Sequence, residues 1–378
     1  MKKLIALLLA GSIFLSACSK QEGKTAPDIS PQPSSSAEAP SESVPGDEPE
    51  SEPEQVVDND WQFDTPENHG VDSAILTQMH TVLTDAPVYA VVTAKDGVII
   101  DEYYQEDYDE TSVYPFHSAS KSITGALVGI AIQQGMIGSI DDPLSQYLPQ
   151  VQEQEDERKY AITLRHLLTQ TSGLEWHEWG GGYSNWEEFR SADNWVEYIL
   201  SQDLIYEPGT VFNYSTGNTH LLAAALENAV GQPLMDYAEE NLFGPLGMES
   251  VVWGTDPQRI ADGGNGVVMT ARDAAKFGQL FLNGGVWNGK QIVPADWVEV
   301  STSVQNNGAG DSTGSYGYQW WVREFGGYDT YYAFGAWGQY IFVVPELDLV
   351  TVIASEGPQN SYASRIYFTD YVLAACEA

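Results

Sequence analysis

Cysteine is almost missing from this chain of 378 residues, with Cys18 and Cys376 the only two. At most one disulfide could join them, so the fold must stand on its apolar core rather than on covalent staples. Basic residues are scarce too, with 16 Lys and Arg set against 54 Asp and Glu for a formal net charge of −38. That excess repels nucleic acid and anionic lipid headgroups, and argues against both as partners. Also missing are the motifs of metal and phosphate sites: there is no H-E-x-x-H, no paired cysteine, no acidic cluster at ligand spacing and no phosphate-binding glycine loop. We therefore expect neither a metal nor an organic cofactor.

What is present divides the chain in three. Met1-Lys2-Lys3, an apolar run from Leu4 to Leu15 and the tetrapeptide Leu15-Ser16-Ala17-Cys18 resemble a bacterial lipoprotein export signal. The apolar run is short for a membrane span. The resemblance implies that residues 1–17 are removed and that Cys18 carries lipid, holding the protein outside the cytoplasm on the bacterial cell membrane. An ordinary cleaved signal peptide is the alternative. Residues 18–60 are rich in Pro, Ser, Glu and Asp, a composition that cannot bury enough apolar surface to fold. As a flexible tether of about forty residues it would reach roughly 35 Å. Residues 61–378 then form the folded domain, with ample apolar content for a core.

Within that domain, 88–93 and 98–100 flank Lys95-Asp96-Gly97 and predict a β-hairpin closed by an Asp-Gly turn. A second hairpin is expected from 340–344 and 349–353, and a closing helix over 362–375. Between the two strand regions the sequence reads as mostly helix and loop, opening with an apolar helix over 118–134 that stops at Gly135. Strands at both ends with helices between them imply an α/β (α+β) fold: one sheet completed by both ends of the domain, an inserted helical lobe beside it, and a cleft at their boundary.

Ser118 and Lys121 stand three apart at the start of that helix, so their side chains share a face. A serine hydroxyl needs a nearby base, and a lysine whose pKa is lowered by burial can serve. The helix N-terminus offers a backbone N–H to a developing oxyanion. Downstream, Glu207-Pro208-Gly209-Thr210-Val211-Phe212-Asn213-Tyr214-Ser215-Thr216 presents a tyrosine on a turn ahead of a second apolar helix.

With Leu167-Leu168-Thr169-Gln170-Thr171-Ser172-Gly173-Leu174, Gly263-Gly264-Asn265-Gly266, 269–278 and Gly338-Gln339, these segments resemble the β-lactamase superfamily of class C enzymes, esterases and penicillin-binding proteins. The likeness covers 61–378. It implies a β-lactamase/transpeptidase-like fold, an antiparallel sheet flanked by helices. It further implies Ser118 as acylated nucleophile, Lys121 as proton acceptor and Tyr214 as bridge to the leaving group. A neighbouring ammonium would lower the tyrosine pKa, and which of the pair is formally the base stays open. The second oxyanion donor is expected among 334–338, with Gly335, Trp337 and Gly338 as substrate contacts.

The sequence departs from the β-lactamases of that family at two places. Their Y-x-N motif is Tyr214-Ser215-Thr216 here, with Thr216 facing substrate, and the strand that normally carries K-T-G or a histidine version falls within 330–337, where no Lys, Arg or His occurs. A carboxylate substrate would lose its charge-assisted contact there. We therefore expect a small-molecule ester or linear amide as substrate, in the manner of 6-aminohexanoate-oligomer hydrolases, whose wording Tyr214-Ser215-Thr216-Gly217-Asn218-Thr219 resembles. A β-lactamase or D-alanyl-D-alanine carboxypeptidase is the second reading, and a non-catalytic penicillin-binding-like receptor the third. Trp337, Tyr332 and Phe334 are read either as an aromatic rim or as core packing. Tyr183-Ser184-Asn185 matches Y-x-N without the preceding turn, so it is assigned with Trp176, His177 and Trp179 to a loop, either covering the cleft and placing Tyr183 on substrate, or simply exposed. His117, directly before Ser118, either reaches the cleft or packs beneath the helix, with packing preferred, and His166 and His220 lie within expected helices without a ligand-spaced partner. No oligomeric state is set by the sequence.

Overall fold

The Asp-Gly turn forms as expected: Asp96 and Gly97 have φ of 53° and 80°, the two left-handed positions that match a tight hairpin to strand twist. It joins β1 (Val88–Lys95) to β2 (Val98–Tyr104). In this computed structural model, residues 60–178, 184–310, 313–357 and 361–378 are described. The signal, nearly all of the tether, Cys18, Trp179 and Tyr183 lie outside them.

Six further strands complete an antiparallel sheet: β3 (Asn306–Gly310), β4 (Gly314–Tyr316), β5 (Trp321–Phe325), β6 (Tyr328–Gly335), β7 (Gln339–Val344) and β8 (Leu349–Ser355). Their order is β2-β1-β8-β7-β6-β5-β4-β3. The two ends of the domain therefore meet inside one sheet, with Val91 opposite Ile353 across the β1–β8 pair. The expectation of helix and loop up to the second hairpin is corrected over 306–325, which supplies β3 to β5. Asn306–Gly310 has no apolar alternation to announce a strand; it is recruited by its pairing to β4.

Alternate residues of the central strands feed two apolar layers. Ile341 and Val343 join the side holding the helices α2 (Ser120–Gln133) and α4 (Ala271–Leu282), whereas Phe342 and Val344 join the side holding α1 (Ser73–Leu83) and the helical C-terminus, Ala363–Tyr367, Phe368–Leu373 and Ala374–Glu377. The inserted lobe contains the short helices Leu164–Leu168, Asn185–Ser191 and Trp195–Ser201 and the longer α3 (Thr216–Val230).

Helix α2 is the pillar of the site. Twelve of its residues, Ser120 to Ala131, are buried, as its unbroken apolar sequence predicts, and Gly135 beyond it takes a φ of 74°. A β-carbon at Gly129 would sit 2.4 Å from the Trp297 indole. Gly129→Ala should accordingly destabilise the protein by about 1–3 kcal/mol through overpacking, read as a lower midpoint in urea.

Candidate active site

Ser118 lies in the single 3₁₀ turn His117–Ala119 that runs straight into α2. His117 has φ of 47°, a left-handed backbone that a side chain resists, and this reversal carries the chain from the strand Val113–Pro115 into the helix. Neighbouring bonds hold it. The Phe116 N–H donates to the Val267 carbonyl at 2.9 Å. Ser120 Oγ donates to the His117 carbonyl at 2.6 Å and accepts the Val267 N–H at 3.0 Å. Gly335, at the end of β6, passes so close that a β-carbon there would meet the Phe116 carbonyl oxygen at 2.2 Å, so only glycine lets the strand lie against the serine turn.

One helical turn on, Lys121 is almost wholly buried. Its Nζ lies 3.0 Å from Ser118 Oγ, 3.0 Å from Thr216 Oγ1 and 2.7 Å from the Gly264 carbonyl. Burial pulls its pKa down to about 8, against the opposing pull of the Glu178 and Asp262 carboxylates. The Gly264 carbonyl comes within reach because Gly263 and Gly264 carry no side chains: a β-carbon at 264 would lie 2.7 Å from Thr216 Cγ2.

Tyr214 reaches the same point from the lobe. Its ring stacks on Trp321 at 5.4 Å and meets Tyr316 edge-on at 6.2 Å, while Lys121 Nζ sits 4.9 Å from the ring centroid. The expected lowering of its pKa is corrected: burial, reinforced by Tyr316 and Glu178, drives it well above 10, and the pull of Ser118 in the other direction is smaller. The lysine sits over the ring, and a phenol buried in this setting stays neutral.

Two buried glutamines fix the segment that carries Tyr214 and Thr216. Gln170 Oε1 accepts the Ser215 N–H at 3.0 Å and Asn218 Nδ2 at 2.9 Å. Gln319 Nε2 donates to the Leu167 and Leu168 carbonyls at 3.0 and 3.1 Å, and its Oε1 accepts from Thr219 Oγ1 at 3.0 Å. Ser215 caps α3 by accepting the Asn218 N–H at 3.1 Å.

The family model for β-lactamase matches residues 83–373. This chain belongs to the β-lactamase family. Among curated relatives, an uncharacterised protein of Alkalihalophilus pseudofirmus is 31% identical over 66% of this chain and 74% of its own length. The 6-aminohexanoate-dimer hydrolase of Paenarthrobacter ureafaciens is 26% identical over 71% of this chain and 72% of its own. Among solved structures, a Bacillus anthracis protein provisionally assigned as a 6-aminohexanoate-dimer hydrolase superposes with a TM-score of 0.68 at 25% identity, covering 79% of this chain and 81% of that one. Together they establish a hydrolase of the β-lactamase fold.

The remaining sequence expectations separate within this family member. Trp337 is 39% exposed, its ring edge-on to His117 at 4.7 Å, and its backbone N–H donates to Ser361 Oγ at 3.2 Å. Gly338 is buried and its carbonyl accepts from Ser364 Oγ at 3.0 Å. Tyr332 and Phe334 form no rim. Both are buried on the face of β6 toward the C-terminal helix, where the Arg365 guanidinium lies among their rings and donates to Tyr340 and Tyr332 hydroxyl oxygens at 3.0 and 3.2 Å. Trp176 is likewise buried, edge-on to Phe189 at 5.4 Å, whereas His177 is exposed. His166 caps its own helix through Thr163, and the buried His220 pairs with Asp256 at 3.2 Å.

Sequence reasoning missed Glu178. Its carboxylate accepts the Thr216 N–H at 2.8 Å, the Thr216 hydroxyl, and Trp176 Nε1 at 2.6 Å. No motif spacing signals a residue that reaches the site from a separate loop.

Proposed function

We propose that this protein is a serine hydrolase that forms an acyl-enzyme at Ser118 and cleaves small esters or linear amides outside the cytoplasm, held to the membrane by lipid on Cys18. The observation that carries the chemistry is the buried Lys121 amine 3.0 Å from Ser118 Oγ, its pKa drawn down to about 8. In the neutral form the amine accepts the serine proton as Oγ bonds to the substrate carbonyl carbon, and the carbonyl electron pair moves to oxygen, facing the Ser118 N–H at the head of the helix. Collapse expels the alkoxide or amine. Tyr214 donates its proton to that leaving group and regains one from Lys121, a relay suited to a phenol that stays neutral. Water then gives a proton to Lys121, attacks the acyl carbon and releases the acid, and Oγ recovers its proton.

The substrate class is supported by what faces Ser118. Strand β6 brings no cation to the cleft, and the guanidinium of the nearby Arg365 is taken up by aromatic rings and tyrosine hydroxyls, so that strand offers a substrate carboxylate no charged partner. The Paenarthrobacter relative, named a 6-aminohexanoate-dimer hydrolase, supports the amide half of the reading.

A fluorophosphonate should label wild-type protein on Ser118, identified by peptide mass spectrometry; absence of labelling together with absence of ester turnover would favour a binding protein. A slow, stable penicillin adduct with no ester turnover would shift the reading to a carboxypeptidase, the activity named for the Escherichia coli relative AmpH. Because the base must be neutral, kcat/KM for a chromogenic acetate ester should climb about tenfold per pH unit below 8 and level above it. A flat profile from pH 6 to 9 would remove Lys121 from that role.

A further inference from the structure

A neutral lysine amine has two N–H bonds and one lone pair. Around Lys121 stand three oxygens: the Gly264 carbonyl at 2.7 Å, Thr216 Oγ1 at 3.0 Å and Ser118 Oγ at 3.0 Å. The carbonyl can only accept, so it takes one N–H. The other two are hydroxyls, each able to donate or accept, and either could donate its proton to the lone pair. If Thr216 did so, the base would be occupied by the wrong hydroxyl.

The Thr216 hydroxyl has one proton, and it is already committed. It points to a Glu178 oxygen, while the other Glu178 oxygen accepts the Thr216 N–H at 2.8 Å and Trp176 Nε1 at 2.6 Å. An ionised carboxylate only accepts, so it fixes the direction of the hydroxyl. Thr216 Oγ1 must then accept from Lys121, both N–H bonds are consumed, and the lone pair is left facing Ser118.

We infer that Glu178 is a positioning residue: through Thr216 it sorts the hydrogen bonds of Lys121 so that the lone pair of the amine meets the Ser118 hydroxyl. The role rests on the acyl-enzyme reading above. Asparagine, the residue of the family's Y-x-N wording at the Thr216 position, offers a carbonyl acceptor without needing an outside carboxylate; a threonine needs one. The pair Thr216 and Glu178 thus supplies an acceptor that a single amide could supply at this position.

Glu178→Gln and Thr216→Val should each lower kcat on a short-chain chromogenic ester on the order of a hundredfold, as mispositioned catalytic groups do, with KM changed less than threefold. Combined, they should cost no more than either alone, because they break one chain of bonds. Thr216→Asn placed in the Glu178→Gln background should recover at least tenfold, since the amide carbonyl accepts from Lys121 directly. In Glu178→Gln the rising limb of the pH profile should also move to lower pH, because the lost carboxylate no longer favours the ammonium. A loss of packing alone would leave that limb in place. Thr216→Val keeps the Glu178 bonds to the Trp176 indole and the Thr216 N–H, so it isolates the hydroxyl if Glu178→Gln folds poorly. Unchanged kcat in both single variants, multiplying losses, an unmoved limb or no recovery with asparagine would each overturn the inference. Such failures remain separable from failure of the acyl-enzyme reading, in which Ser118→Ala would keep wild-type turnover.

Discussion

Ser118→Ala should lose about 10⁴-fold or more in turnover of a chromogenic ester while its unfolding midpoint stays close to wild type. The loss should be that large because no other hydroxyl on Lys121 can substitute. Thr216 Oγ1 is equally near, at 3.0 Å, yet its proton is given to Glu178. The midpoint should hold because Ser118 contributes little to the core: the turn is secured by Phe116, Ser120 and Val267 through backbone and Ser120 bonds that the substitution leaves alone. Stopped assays on purified protein, with phosphonate labelling as the active-site count, decide it. Ester turnover equal to wild type would sink the acyl-enzyme mechanism.

Lys121→Met should cost on the order of 10³-fold or more in the same assay, since it removes the proposed base but keeps most of the volume. It also yields a second, independent reading. The folded lysine has its pKa at about 8, against 10.5 in the reference state, so the unfolded chain binds the proton more tightly. Protonation therefore works against folding: the penalty is complete below pH 8, fades between 8 and 10.5, and is gone above. The gap corresponds to about 3 kcal/mol. Urea titrations at pH 7 and pH 10.5 should show wild type gaining that amount relative to Lys121→Met. An identical pH dependence in the two proteins would mean that Lys121 is not held at a lowered pKa.

Much of this site was legible in one dimension because its parts are local. Ser118 and Lys121 are brought together by a single turn of helix, Asp96 and Gly97 define their turn by backbone preference alone, and Gly135 marks the end of α2. What stayed hidden depends on contacts between distant segments. Glu178 meets Thr216 across 38 positions, and Gln319 meets Leu167 across 152. The rim of aromatic residues was undecidable for a related reason. From Tyr331 to Gly335 every residue is buried, so the run has no polar alternation to tell one face from the other. Only the helix that covers Tyr332 and Phe334 settles it. The tyrosine pKa failed as a sequence inference because burial outweighs a nearby cation that addresses the ring.

The pairing of β1 with β8 has a kinetic consequence. Val91 and Ile353 are neighbours in the sheet but far apart in synthesis, so the central strands cannot close until nearly the entire domain has been made. Long loop closures of this kind slow folding and leave strand edges open meanwhile. The nascent chain should therefore remain protease-sensitive until Leu349–Ser355 is available, and then gain resistance in one late step. Deleting β8 should cost the whole sheet its closure, not merely its final strand.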